Sequence, residues 1–160
     1  MYILGIHAGG HDAAASLWHN YKLLAAVQSE RMTRVKTQGG WPELAIDEVL
    51  SIAGITRAQV DVICLTRSLV QRRYVHFSGL GRVANWWSRY WRNKTDISFS
   101  RVLRKAGEGN AHALFNAPLF LDEHRFTPTT QIYFPNHHLA HALSALFFTE
   151  WDNALLYTAD

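Results

Sequence analysis

The residues best suited to chemistry lie in Asn136-His-His-Leu-Ala-His141. His137 and His141 are four apart, and in a helix such residues project from the same face. Two imidazoles one turn apart can grip a single divalent metal. His138 falls about 100° around the helix and points elsewhere. A metal site of this kind needs a third donor, and a carboxylate is the usual partner for iron, zinc or manganese. Asp160 closes the apolar run Ala154–Ala159, which reads as a strand after the helix, and is the candidate third ligand. The chain holds nine histidines, so the same spacing also arises by chance.

A second constellation is His7-Ala-Gly-Gly-His-Asp-Ala-Ala-Ala15. A glycine turn between two strands exposes backbone N–H groups that can cradle an anionic oxygen. His11 beside it can act as a general acid or base near neutral pH, with Asp12 adjacent. The plain alternative is a hairpin built from turn-favouring residues. A third is Glu30-Arg-Met-Thr-Arg-Val-Lys36, in which Arg34 and Lys36 can bind a phosphate. Ordinary surface charge explains it equally simply.

These residues need a scaffold, and the chain provides one. Its 160 residues are 48% hydrophobic and 18% charged, enough for a packed core and unlike a disordered tail. Tyr2–Ile6, Ala13–Trp18 and Lys22–Gln28 are three short strands joined by tight turns, an antiparallel meander. Glu30–Trp41 reads as a loop. Pro42 opens a helix in which Ile46, Val49, Leu50 and Ala53 recur at helical spacing, and Gly54 stops it. Val60–Leu65 is a strand, Ile132–Phe134 a short one, His138–Phe148 a helix and Leu155–Ala159 a final strand. The expected class is α/β, with a β-β-β-α-β-α-β order.

The net charge of +3 is unevenly spread. Residues 67–105 hold ten Lys/Arg against one acid, Asp96, so the remainder of the chain is acidic overall. Interleaved Arg and Trp there suit a single-stranded nucleic acid or an anionic membrane. They suit equally the packed face of a helical insert carrying Trp87, Tyr90 and Trp91, expected over Val83–Trp91. Residues 67–130 are read as that insert. One cysteine, Cys64, allows no internal disulfide. No apolar run is long enough to cross a bilayer, and the N-terminus has no signal-peptide pattern. A reducing, cytoplasmic location is expected. Ending directly after an apolar run, the chain is expected to be part of a longer polypeptide.

Taken in order, three stretches resemble the N-terminal part of the NodU/CmcH-type carbamoyltransferases: Ile3–Ala15, Ser29–Lys36 leading to Trp41-Pro42, and Asn136–Phe148 running to Tyr157-Thr-Ala-Asp160. The segment 67–130 carries no part of the likeness. The resemblance implies an actin-like ATPase (ribonuclease-H-like) fold, related to the tRNA threonylcarbamoyl transferases and truncated here at its C-terminal side. It implies an enzyme that activates carbamoyl phosphate with ATP as a carbamoyl adenylate and passes the carbamoyl group to a hydroxyl of a small molecule. By position, His137, His141 and Asp160 would be ligands of a divalent metal, iron(II) by the resemblance. Lys36 would contact carbamoyl phosphate, with Asp12 and Arg34 beside it, and His11 would be the catalytic base near the acceptor. Thr37 stands where the family often has His. The rest of the same polypeptide is the implied partner, without nucleic acid or membrane, and the isolated chain is expected to be inactive. Two rival readings stand beside it, the first of a different class and the second a closer one. One is a non-catalytic remnant or binding module acting through residues 67–105. The other is threonylcarbamoyl transfer to tRNA.

Overall fold

The computed structural model describes residues 1–66, 69–76, 96–99, 102–103, 107, 111–147 and 149–158; at 96, 137 and 145 it describes the backbone alone. The expected helix over 83–91, with Trp87, Tyr90 and Trp91, lies outside the described residues, as does Asp160.

Alternation of side chains builds the sheet. Strands β1 (Tyr2–His7), β2 (Ala14–His19) and β3 (Lys22–Gln28) form the expected antiparallel meander. Strand β4 (Val62–Thr66) then joins β1 in parallel, pairing Gly5 with Cys64 and His7 with Thr66. Strand β7 (Gln131–Tyr133) joins β4 in parallel, so the sheet runs β3-β2-β1-β4-β7. Leu4, Ile6, Ala15, Leu17, Ile63 and Leu65 all point to one face and are buried. That period of two is what a half-buried strand requires.

Helix α2 (Glu43–Ala53) covers this face with Ala45, Ile46, Val49 and Leu50, all buried. Pro42 precedes the helix as its cap residue instead of occupying its first turn. Gly54 ends it at φ 66°, left-handed as expected, and the amide of Ile55 reaches back to the Leu50 carbonyl. The stretch after β3, read as loop, contains a single helical turn, α1 (Ser29–Thr33). Five residues carry too little apolar periodicity to announce a helix.

Between β4 and β7 the described residues contribute to the same core. Strands β5 (Leu69–Gln71) and β6 (Asp96–Ser98) pair antiparallel, and short helices α3 (Ala111–Leu114) and α4 (Ala117–Glu123) follow. Val70, Tyr74, Phe99, Phe115, Phe120 and Phe126 are buried in one cluster with the sheet residues. Phe115 and Phe120 lie 5.3 Å apart, ring to ring, as aromatic pairs prefer.

Helix α5 (His137–Phe147) begins one residue before its expected start. Asn136 caps it, its Oδ1 accepting from the amides of His138 and Leu139 at 3.0 and 3.2 Å. The expected strand Leu155–Ala159 does not form over its described part: residues 154–158 have no regular structure, and Leu155 and Tyr157 are exposed. A strand needs a ladder partner to satisfy its backbone, and this run finds none among the described residues. No helix of the described residues is long and apolar enough to cross a membrane. The domain is mixed α/β.

Candidate functional site

Parallel pairing gives the site its location. Strands β1, β4 and β7 run in one direction, so their C-terminal ends share one edge of the sheet. The His7–Asp12 turn leaves β1 there, Thr66 ends β4 there, and Tyr133 leads from β7 into Asn136 and the first turn of α5 there. In α/β sheets this edge is where ligands bind, because successive loops converge on it.

At the turn, Asp12 takes a left-handed backbone at φ 54°, which Asp tolerates better than most residues. Its carboxylate accepts from His11 Nδ1 at 2.7 Å. A proton held on Nδ1 leaves Nε2 as the basic nitrogen, on a ring that is 62% exposed. The pair is thus arranged as a base with its orienting carboxylate.

The loop carrying Arg34 and Lys36 is tied to this turn through the backbone. The amide of Ala13 donates to Gln38 O at 2.8 Å, and that of Gly40 to Gly9 O at 2.8 Å. Gly39 passes so close that a Cβ there would stand 2.3 Å from the Gly10 carbonyl oxygen. Only glycine permits that approach. Inside the loop, Glu30 Oε2 accepts from the Thr37 amide at 3.1 Å, and Arg34 caps α1 at φ 61°. Lys36 and Arg34 are exposed and make no ion pair among the described residues. The structure therefore brings His11, Asp12 and the Arg34–Lys36 loop together on two interlocked loops.

Sequence reasoning gave His7 no role and missed Thr66. His7 Nδ1 lies 3.4 Å from Thr66 Oγ1, whose hydroxyl donates to Ile6 O at 3.3 Å. Both residues line an open cavity of about 690 Å³ with Gly5, Ser16, Arg31 and Cys64. Their contact joins residues far apart in sequence, and only the β1–β4 register could have foretold it. Burial raises the Cys64 thiol above its ordinary pKa, so it stays protonated.

Helix α5 places positions 137 and 141 one turn apart, as the spacing required. His141 and His138 are exposed, and His138 Nδ1 lies 3.4 Å from Thr158 Oγ1. Among the described residues no three His, Cys, Asp or Glu side chains gather as a metal site. The donor set read from the sequence includes the His137 side chain and Asp160, both outside that description. His141 and the helical register are the parts of that set the structure describes.

Comparison with known proteins adds the family. An uncharacterized protein of Synechocystis sp. is 31% identical over 169 residues, covering 99% of this chain and 25% of its own length. An uncharacterized protein of Methanocaldococcus jannaschii is 45% identical over 49 residues, covering 31% of this chain and 9% of its own. The chain thus spans a quarter or less of the curated relatives it matches. The family described as carbamoyltransferase N-terminus matches residues 2–157, and the chain belongs to that family.

Proposed function

We propose that the chain is the N-terminal part of an O-carbamoyltransferase of the NodU/CmcH type. In this reading water releases carbamate and phosphate from carbamoyl phosphate, the carbamate displaces pyrophosphate from ATP to form a carbamoyl adenylate, and the carbamoyl group passes to the hydroxyl of a small molecule in the cytoplasm with AMP as the leaving group. The observation that carries the reading is the interlocking of the His11 turn with the Lys36 loop at the C-terminal edge of the parallel strands. A sheet of order β3-β2-β1-β4-β7, antiparallel on one side of β1 and parallel on the other, agrees with an actin-like fold.

Each residue has a role that its chemistry suits. The Lys36 ammonium pairs with the phosphate of carbamoyl phosphate, and Arg34 reinforces it. His11 Nε2 takes the proton of the attacking hydroxyl, while Asp12 holds the tautomer and steadies the imidazolium that forms. His137, His141 and Asp160 would hold a divalent metal, iron(II) in this reading. When bound, the ion would offset negative charge on the leaving phosphate. The remaining part of the longer polypeptide completes the nucleotide site.

Two measurements test the reading. A full-length polypeptide carrying this chain, given ATP, carbamoyl phosphate and a panel of hydroxylated small molecules, should form a carbamate ester and release AMP, and its His11→Ala variant should not. Absence of carbamoyl transfer to every acceptor, with carbamoyl phosphate left intact, would overturn it. Metal content by mass spectrometry should fall on His137→Ala and on His141→Ala; equal metal in all three proteins removes the metal assignment.

A further inference from the structure

Between the site and the far end of the core stands a cluster that the carbamoyl-transfer reading leaves unused. Trp41 follows Gly39 and Gly40 directly, and its indole lies over the His124 ring at 4.3 Å and edge-on to Phe120 at 5.5 Å. Its Nε1 donates to Glu43 Oε2 at 2.8 Å, which fixes the ring about its long axis. His124, at the end of α4, rests in turn on Phe120 at 4.6 Å, and its Nε2 lies 3.3 Å from Tyr74 Oη. The Tyr74 hydroxyl donates to Glu123, which also pairs with Arg73 at 2.9 Å. One continuous path of packed groups therefore runs from Tyr74 through His124 and Trp41 to Gly40, and across to Gly9 beside His11.

We propose that Trp41 is the positioning residue of the Lys36 loop, its indole holding Gly39 and Gly40 on the His11 turn, and that a proton on His124 weakens this hold.

The geometry explains both halves. Gly39 and Gly40 have no side chains to anchor them, so the first large anchor after the loop is Trp41. Aromatic contacts of this kind stabilise beyond their buried area, so the indole can anchor a loop that has no side chains of its own. The proton on His124 enters a ring enclosed by Trp41, Phe120 and Tyr74. Five groups face it: Glu43 from α2 and Glu123 from α4 favour the charge, while Arg57 before β4 and Arg73 before α3 oppose it, and the Tyr74 hydroxyl is already given to Glu123. Burial outweighs the carboxylates and holds the His124 pKa below its ordinary value. The docked arrangement therefore favours neutral His124, and acid below the ordinary histidine range works against it.

The consequence for catalysis rests on the reading of Lys36 and His11 given above, but the test does not use catalysis, so the two can fail separately. Hydrogen exchange of the chain would be followed at the Gly40 and Ala13 amides, the two that tie loop to turn, against the Ile63 and Leu65 amides of β4. Trp41→Ala should lower protection at Gly40 and Ala13 by about tenfold or more while β4 changes less than about twofold. Trp41→Phe should restore most of it. Lowering the pH from about 7.5 to 5 should weaken the same two amides in the native chain and leave them unaffected in His124→Gln, which cannot be protonated. Unchanged protection in Trp41→Ala, an equal loss in β4, or the same pH response in His124→Gln would each overturn the proposal. Should Trp41→Ala not fold, the comparison of the native chain with His124→Gln decides.

Discussion

Gly40 donates its amide proton to the carbonyl of Gly9 at 2.8 Å, so two stretches far apart in sequence meet backbone to backbone at the candidate site. With the bond from the Ala13 amide to Gln38 O, it ties the Lys36 loop to the His11 turn backbone to backbone.

Gly39→Ala places a methyl group against the Gly10 carbonyl, with the Gly9 carbonyl oxygen also 2.8 Å away. Backbone atoms cannot rotate aside as a side-chain tip can. The expected cost is about 1–3 kcal/mol, the range for overpacking a close contact. Thermal unfolding should show a lower Tm, and exchange at Gly40 should rise. Gly10→Ala, where a Cβ meets nothing within 4 Å, is the matched control and should be nearly silent.

Lys36→Ala removes an exposed ammonium that has no ion-pair partner among the described residues, so folding stability should change by less than about 0.5 kcal/mol. A hydrogen bond from a charged group to phosphate is worth about 1.5–3 kcal/mol. On the proposed role of Lys36, the KM for carbamoyl phosphate of the full-length polypeptide should therefore rise about tenfold to a hundredfold. Steady-state kinetics with varied carbamoyl phosphate would measure it.

Arg57 is the opposite case, a cation whose side chain is only 12% exposed. It binds Asp47 at 2.6 Å, Glu43 at 2.8 Å and the His124 carbonyl at 2.9 Å, and lies over the Phe126 ring. Arg57→Ala strands that carbonyl and should destabilise by about 2–3 kcal/mol in urea unfolding. Arg57→Lys should recover only part of this, since an ammonium lacks the fork whose Nη2 binds the two carboxylates while Nη1 holds the His124 carbonyl.

Tyr74 has its phenol pushed up to about 12, first by burial and then by the carboxylate of Glu123, against the pull of Arg73. A phenol of ordinary pKa in the unfolded chain ionises near 10. The folded state thus favours the protonated form, and the associated stability is complete below pH 10 and disappears as the pH climbs through 12. Absorbance titration near 295 nm should show one tyrosine ionising last, and Tyr74→Phe should remove that step. An unchanged titration in the variant would contradict the assignment.

Much of the sheet was legible in the sequence because strands and helices leave periodic marks. Lys22–Gln28 forms as read, and Gly54 stops α2 in the left-handed conformation that its position required. Helix α5 differs from its reading by one residue, within the ambiguity of any helix end. The final strand misled because apolar residues at 154–158 satisfy a strand's composition without finding a partner among the described residues. Segments α3 and α4 left no mark, since four and seven residues span too few turns to show a stripe. At the candidate site, His11 and Lys36 could be picked out by residue type, but the meeting of their loops depends on Gly39 against Gly10. That contact is between backbones, and backbones carry no sequence signature beyond the absence of a side chain.

The same absence has a consequence at Gly5, opposite Ser16 on β2 and Cys64 on β4. A methyl group there would come within 2.7 Å of Ser16 Oγ and project into the hollow above the strands. Bulk at this one position would level the basin from beneath while leaving its rim of His7, Thr66 and Arg31 in place. The size of molecule that the sheet face can admit is therefore governed at a residue that lines the hollow with backbone alone.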